Sequence, residues 1–185
     1  MKILKRIVVW LMILLLMAVI ISITLIIYIR PAASHDLNYS NISIADKVME
    51  NVQKRSLDIE LSERDVNNLI KKNLLADYSE DITIKGADFQ LRQGGIKALL
   101  HIKYKGLIDA QIEADYDLVW NSPTLQLQPA SLAMKKIKLP VLLLDSINIP
   151  IELPADDIVS IKKINVTADS VKLKLGLNRP DWIGW

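Results

Sequence analysis

The chain of 185 residues has no cysteine. Disulfides, thiolate metal sites, thiol nucleophiles and lipid attachment through an N-terminal cysteine are therefore excluded, and packing alone must hold the fold. Charge of one dominant sign is also missing. The 23 basic and 21 acidic residues leave a formal net charge of +2, without the excess of Lys and Arg on which nucleic-acid affinity rests. No nucleic-acid partner is expected. Absent as well are the Gly-x-Ser-x-Gly elbow of hydrolases, the His-Glu-x-x-His pair of zinc proteases and a Gly-rich phosphate loop. His35 falls in a polar stretch and His101 on the polar face of a predicted strand, so both read as solvated side chains without a ligand or general-base partner. Glu113, Asp115 and Asp117 lack the glycine turn and distal glutamate of a calcium loop, and their spacing of two is what any polar strand face produces. Glu63 and Asp65 open a predicted helix, where carboxylates cap free N–H groups and stabilise the positive dipole end. With no nucleophile, base and orienter set, neither an enzyme nor a metal or cofactor is expected.

What is present begins with an apolar run. Ile7 to Ile29 carries no charge, between Lys2, Lys5 and Arg6 on one side and Arg30 on the other. At about 1.5 Å per residue it makes a helix of roughly 35 Å, enough to cross a bilayer. The run exceeds the roughly 7–15 apolar residues of a signal peptide, although "PAAS" at Pro31 to Ser34 has the small residues of a cleavage site. The basic excess in front predicts an N-terminus inside and the remainder outside. Trp10 and Tyr28 lie near the two ends, where amphipathic aromatics suit the headgroups, but each also reads as an ordinary lipid-facing residue. The predicted organisation is a cytoplasmic N-terminus at 1–6, a transmembrane anchor at 7–29, a linker at 30–42 and an extracytoplasmic domain at 43–185. That domain is long enough to bury one core.

Ser43 with Asp46 three residues on marks a helix start, and Ala45, Val48, Met49 and Val52 continue at helical spacing. Leu57, Ile59 and Leu61 alternate as a strand before Ser62, with Asp65 three residues later, caps a second helix. Its stripe of Val66, Leu69, Ile70 and Leu74 requires a surface to lie on. Asn67 and Asn68 are indifferent helix formers, explicable if one of them bonds a strand. Seven later segments read as strand: 82–85, 89–92, 96–104, 108–120, 125–128, 132–139 and 164–177, with glycines and Asn121-Ser122-Pro123 between them. Ile96, Ala98, Leu100, Ile102 and Tyr104 share one face, as do Ile108, Ala110, Ile112, Ala114 and Tyr116. A turn near Leu107 would set Lys105 opposite Asp109, His101 opposite Glu113 and Lys97 opposite Asp117. Pro140 to Pro154 reads equally as a short helix or loop closing an apolar opening and as a buried connection. Trp182 and Trp185 suit a clasp on the domain body or a membrane interface. The predicted fold is α+β: an N-terminal transmembrane helix, then two amphipathic helices packed on a long, curved antiparallel sheet.

"ELSERDVNNLI" after a membrane anchor, the long strands, "LQLQPASLAMKKIKLP" and "INVTADSVKLKLGL" together resemble the YpmS-type family of bacterial membrane-anchored proteins. A strand, a helix and a strongly bent sheet resemble, more distantly, the tubular lipid-binding (TULIP-like) superfamily. That resemblance implies acyl chains held between helix and sheet, and it is an analogy at the level of fold. The leading expectation is a single-pass, extracytoplasmic binding module of the cell membrane that holds a lipid or lipid-linked envelope molecule in an apolar groove. Val66, Leu69, Ile70, Leu74, Ile102, Tyr104, Ile112 and Tyr116 are the candidate groove residues, and all equally suit a closed core. The alternative is a structural adaptor docking an envelope protein partner through charged strands or the Trp tail.

Overall fold

A computed structural model describes residues 2–32, 34–53, 58–151, 153 and 159–177. Leu57, Pro154, Trp182 and Trp185 lie outside the described residues. The architecture is α+β. Helix α1 (Lys2–Ile29) is long and apolar enough to cross a membrane, and its most apolar stretch is left unburied by the rest of the described chain. The Ser22 and Thr24 hydroxyls donate to the Ala18 and Ile20 carbonyls at 2.9 Å, so neither needs water.

Helix α2 (Ile44–Gln53) buries Ile44 and Val48. Strand β1 (Asp58–Ser62) then runs directly into helix α3 (Glu63–Asn73) through Ser62. The Ser62 hydroxyl accepts from the Asp65 N–H at 3.3 Å and the Asp65 carboxylate accepts from the Ser62 N–H at 3.0 Å. This is the predicted reciprocal cap. The remaining strands are β2 (Asp77–Ser79), β3 (Ile82–Arg92), β4 (Gly95–Tyr104), β5 (Ile108–Asn121), β6 (Thr124–Met134), β7 (Ile137–Lys138), β8 (Ile147–Pro150), β9 (Val159–Val166) and β10 (Ser170–Leu177).

They form two antiparallel sheets. The larger runs β2-β3-β4-β5-β6-β7, with β8 on the free edge of β6, and the smaller runs β1-β10-β9. Register shifts at Ile84/Gly86 and Asp115/Tyr116 interrupt the long strands, and such bulges bend a sheet. The large sheet is strongly curled. Segments predicted as separate strands on either side of Gly86 are thus one strand bent at that glycine. Conversely, the single strand predicted over 164–177 is a hairpin. Thr167 and Ser170 close it through paired backbone and hydroxyl bonds of 2.8–3.1 Å, and the apolar alternation changes phase across the turn, from Ile164 and Val166 to Val171, Leu173 and Leu175.

The β4–β5 turn spans Lys105 to Leu107, with Lys105 and Gly106 at positive φ. Lys103 therefore faces Asp109, His101 faces Gln111 and Lys97 faces Asp115, two residues away from the predicted pairing. A slip of two exchanges partners but keeps every side chain on its face. The charged contacts run diagonally: Lys97 pairs with Glu113 at 2.8 Å, and the His101 ring lies 3.5 Å from the Asp109 carboxylate.

Candidate functional site

The concave side of the large sheet is filled at one end and open at the other. At roughly 3.3 Å per residue, the 10–14 residues of β3 to β6 extend about 33–46 Å. Helix α3, with 11 residues, is only about 16 Å long and 10–12 Å across. It lies against β3 on one side and β8 on the other, with the small sheet beside it. Val66, Leu69 and Ile70 meet Ile96, Leu127, Ile149 and Leu173 there, leaving a void of about 10 Å³. That is too small for more than one water, so this end is a closed, dry core.

The other end is formed by Ile82, Tyr104 and Ile108, which pair side by side. Among the described residues no α-helix lies across it. A cavity of about 260 Å³ remains, roughly the space of nine waters at about 30 Å³ each. Its floor is Ile84, Leu100, Ile102, Ala110, Ile112 and Leu132, its roof Tyr78, Leu139, Leu143 and Leu144, and one wall is Ile29, the last residue of α1. No lining side chain is ionised at neutral pH. The segment after Pro140 makes one 3-10 turn, Val141–Leu143, before β8. Its place over the cavity is held by Tyr78, whose hydroxyl donates to the Leu143 carbonyl at 3.3 Å and accepts the Asp145 N–H. This latch joins strand β2, at one edge of the curled sheet, to the chain leaving β7 at the other. Burial pushes the Tyr78 phenol up, reinforced by the nearby Asp145 carboxylate, so the latch hydroxyl stays protonated.

The candidate residues therefore divide. Ile102, Tyr104 and Ile112 line the open cavity. Val66, Leu69 and Ile70 line the closed core instead, and Leu74 is half-buried against it. Tyr116 is 1% exposed, between the two regions. Burial drives its phenol well above the usual tyrosine range, and Tyr78 and Asp145 add to the shift. The opening thus lies between sheet and strap, where sequence reasoning set it between helix and sheet. Tyr78 and Ile29 were missed, because a three-residue strand and a span end carry no periodic signal, whereas Leu143 falls in the Pro140 to Pro154 segment for which closing an apolar opening was one of two readings.

The polar candidates have structural partners. Asp65, besides its cap, pairs with Lys47 at 2.7 Å. Burial alone would raise its pKa, but the Lys47 ammonium and the Ser62 N–H and hydroxyl outweigh it and hold the carboxyl below its ordinary value. Glu63 accepts the Leu91 N–H at 2.9 Å, tying α3 to β3. Asn67 donates to Asp88 on β3 at 3.2 Å, and Asn68 accepts the Ser40 N–H at 3.1 Å. His101 is half-buried and sits beside the linker residues Pro31 and Ala32 rather than in open solvent. Among the described residues no group of three His, Cys, Asp or Glu converges as a metal site.

The linker itself is stitched to the outside of the sheet. The Ala32 N–H reaches Gln111 on β5 at 3.1 Å, and the Asp36 carbonyl accepts the Ala87 N–H on β3 at 3.2 Å. Lys71 on α3 approaches the Asp36 carboxylate at 3.6 Å. The cavity end is thereby held beside the end of α1. Comparison with protein-family models, with characterised proteins and with solved structures finds no match to this chain.

Proposed function

We propose that the protein is a membrane-anchored binding module whose cavity takes the apolar end of a lipid or lipid-linked envelope molecule, with α1 as a single-pass span and the folded part on the extracytoplasmic side. The observation that carries this reading is the cavity's composition and place: about 260 Å³ lined by aliphatic side chains and two tyrosines, with the end of the apolar helix as one wall. Small-molecule pockets of roughly 300–1,000 Å³ bury a whole ligand. This one holds a stretch of chain and leaves a headgroup outside. The more distant resemblance to the tubular lipid-binding superfamily agrees with this use, as analogy. The adaptor alternative has less in its favour. The charged outer faces it would use are engaged within the chain: Asp115 accepts from the Ser131 hydroxyl at 2.6 Å and pairs with Arg92 at 3.3 Å.

The test is native mass spectrometry of the full chain released from detergent, followed by organic extraction and lipid analysis, beside the variant Ala110→Trp. Ala110 is buried on the cavity floor, so an indole there occupies the ligand's space. A stoichiometric adduct in the wild type that the folded variant lacks supports the reading. A bare mass in both, after incubation with membrane lipids, overturns it.

A further inference from the structure

Among the described residues outside α1, the large apolar side chains left more than a third exposed are Tyr39, Met49 and Leu75, and five that gather at the cavity end. Those five are Tyr104, Leu107, Ile137, Leu142 and Leu143. Leu142 is 97% and Leu107 83% exposed, each at the tip of a turn and so poorly placed to be a residue the core failed to cover. Tyr104 and Leu143 themselves line the cavity. Leu107 follows Tyr104 on the β4–β5 turn, and Ile137, the first residue of β7, pairs with the cavity residue Met134 across the β6–β7 turn. Together they make an apolar rim round the cavity mouth.

Two features identify what covers this rim. Ile29, where α1 ends, is one wall of the mouth, and α1 packs on β5. If α1 spans the bilayer, the rim stands at the bilayer surface, because the stitched linker leaves no free length to carry the domain away. The second feature is charge. Lys135, Lys136 and Lys138 flank Ile137, and among the described residues none of the three has an ion-pair partner within 4.0 Å. Lysines beside exposed leucine and isoleucine suit an interface in which apolar tips enter the acyl boundary and ammonium groups remain among anionic phosphates.

We infer that the rim is a membrane-docking surface: Leu107, Ile137, Leu142 and Leu143 insert into the leaflet in which α1 is anchored, and the cavity opens directly onto its lipid. The inference rests on α1 being a span and deepens the proposed use, since the ligand then enters from the membrane side without crossing water.

The cysteine-free chain permits a clean test. Single cysteines are introduced in the full protein as Leu107→Cys or Leu142→Cys, with Asp117→Cys on β5 near the far end of the sheet as control, and each is labelled with an environment-sensitive fluorophore. The labelled proteins are reconstituted in vesicles of equal parts phosphatidylcholine and phosphatidylglycerol. The expected result is a blue-shifted emission at 107 and 142 that is lost when spin-labelled lipid is included, with no such loss at 117. Quenching at 107 and 142 no stronger than at 117, with full access to aqueous iodide, overturns the docking surface. Lipid extraction on the same samples separates the two readings. Docked tips with an empty cavity refute only the lipid-holding function, and a loaded cavity with solvated tips refutes only the docking.

Discussion

Gly86 marks where the linker meets the sheet, and replacing it with alanine has an effect whose sign depends on that contact. Within a strand, Gly→Ala ordinarily stabilises by about 0.5–1 kcal/mol, because the unfolded chain loses freedom. Here a Cβ would overlap the His35 carbonyl and come within 3.2 Å of the Asp36 nitrogen. Both are backbone, so neither can swing aside. The linker must lift, which breaks the 3.2 Å bond from the Ala87 N–H to the Asp36 carbonyl. Ala87 is wholly buried, and an unpaired buried donor costs about 1–3 kcal/mol. The Lys71–Asp36 contact adds little, since at 3.6 Å it is long and its carboxylate is exposed. The net expectation for G86A is destabilisation of about 1–2 kcal/mol after the favourable backbone contribution is subtracted. Urea unfolding of the full chain in detergent, followed by far-ultraviolet circular dichroism, measures it. G176A is the control, since a Cβ there meets only the Lys162 side chain, which can rotate away, and the variant should be as stable as wild type or slightly more so. If G86A matches G176A, the linker does not lie on the sheet and the argument for a held orientation beside α1 collapses.

Other expectations follow from the same coordinates. Leu69→Ala, in the closed core, should cost about 2–5 kcal/mol, whereas Leu142→Ala at an exposed tip should stay within about 0.5 kcal/mol in the absence of membrane; equal losses in urea unfolding would contradict the division into filled and open ends. Ser62→Ala removes half of the cap on α3 and should cost about 1 kcal/mol, and an unchanged urea midpoint would refute the cap's role. The folded pKa of Asp65 lies below its ordinary value of 3.8, so its contribution is complete above that value and is lost as pH falls through the lower folded pKa. Asp65→Asn should therefore be less stable than wild type at neutral pH, with the difference shrinking below about pH 4; a pH-independent difference would argue against the ionic contribution. Tyr78→Phe should leave the core intact and hasten hydrogen exchange at the Asp145 amide, and unchanged exchange there would mean the strap is held by packing alone.

How much of this was legible in the sequence differs from element to element. The apolar run of α1 and the Ser62–Asp65 cap are local chemistry, written within a few residues, and both are present. The faces of β4 and β5 followed from strict alternation. Their register did not, because a slip of two residues leaves every side chain on the same face, and only the positive-φ turn at Lys105 and Gly106 selects one pairing. The β9–β10 hairpin was hidden for a different reason: its turn, Thr167 to Asp169, holds neither glycine nor proline, and only a change of phase in the alternation, from Ile164 and Val166 to Val171 and Leu173, marks it.

The sequence by itself determined which side chains are apolar, where a span-length helix begins and how α3 is capped, since each of these depends on near neighbours. Only the tertiary structure decided which apolar residues stay uncovered. Ile96 and Ile102 are the same residue type on the same alternating face of β4, yet one lies in a filled core and the other in a cavity. The difference arises because α3 is shorter than the strands it packs on, and because a three-residue strand brings Tyr78 across to the chain beyond Pro140.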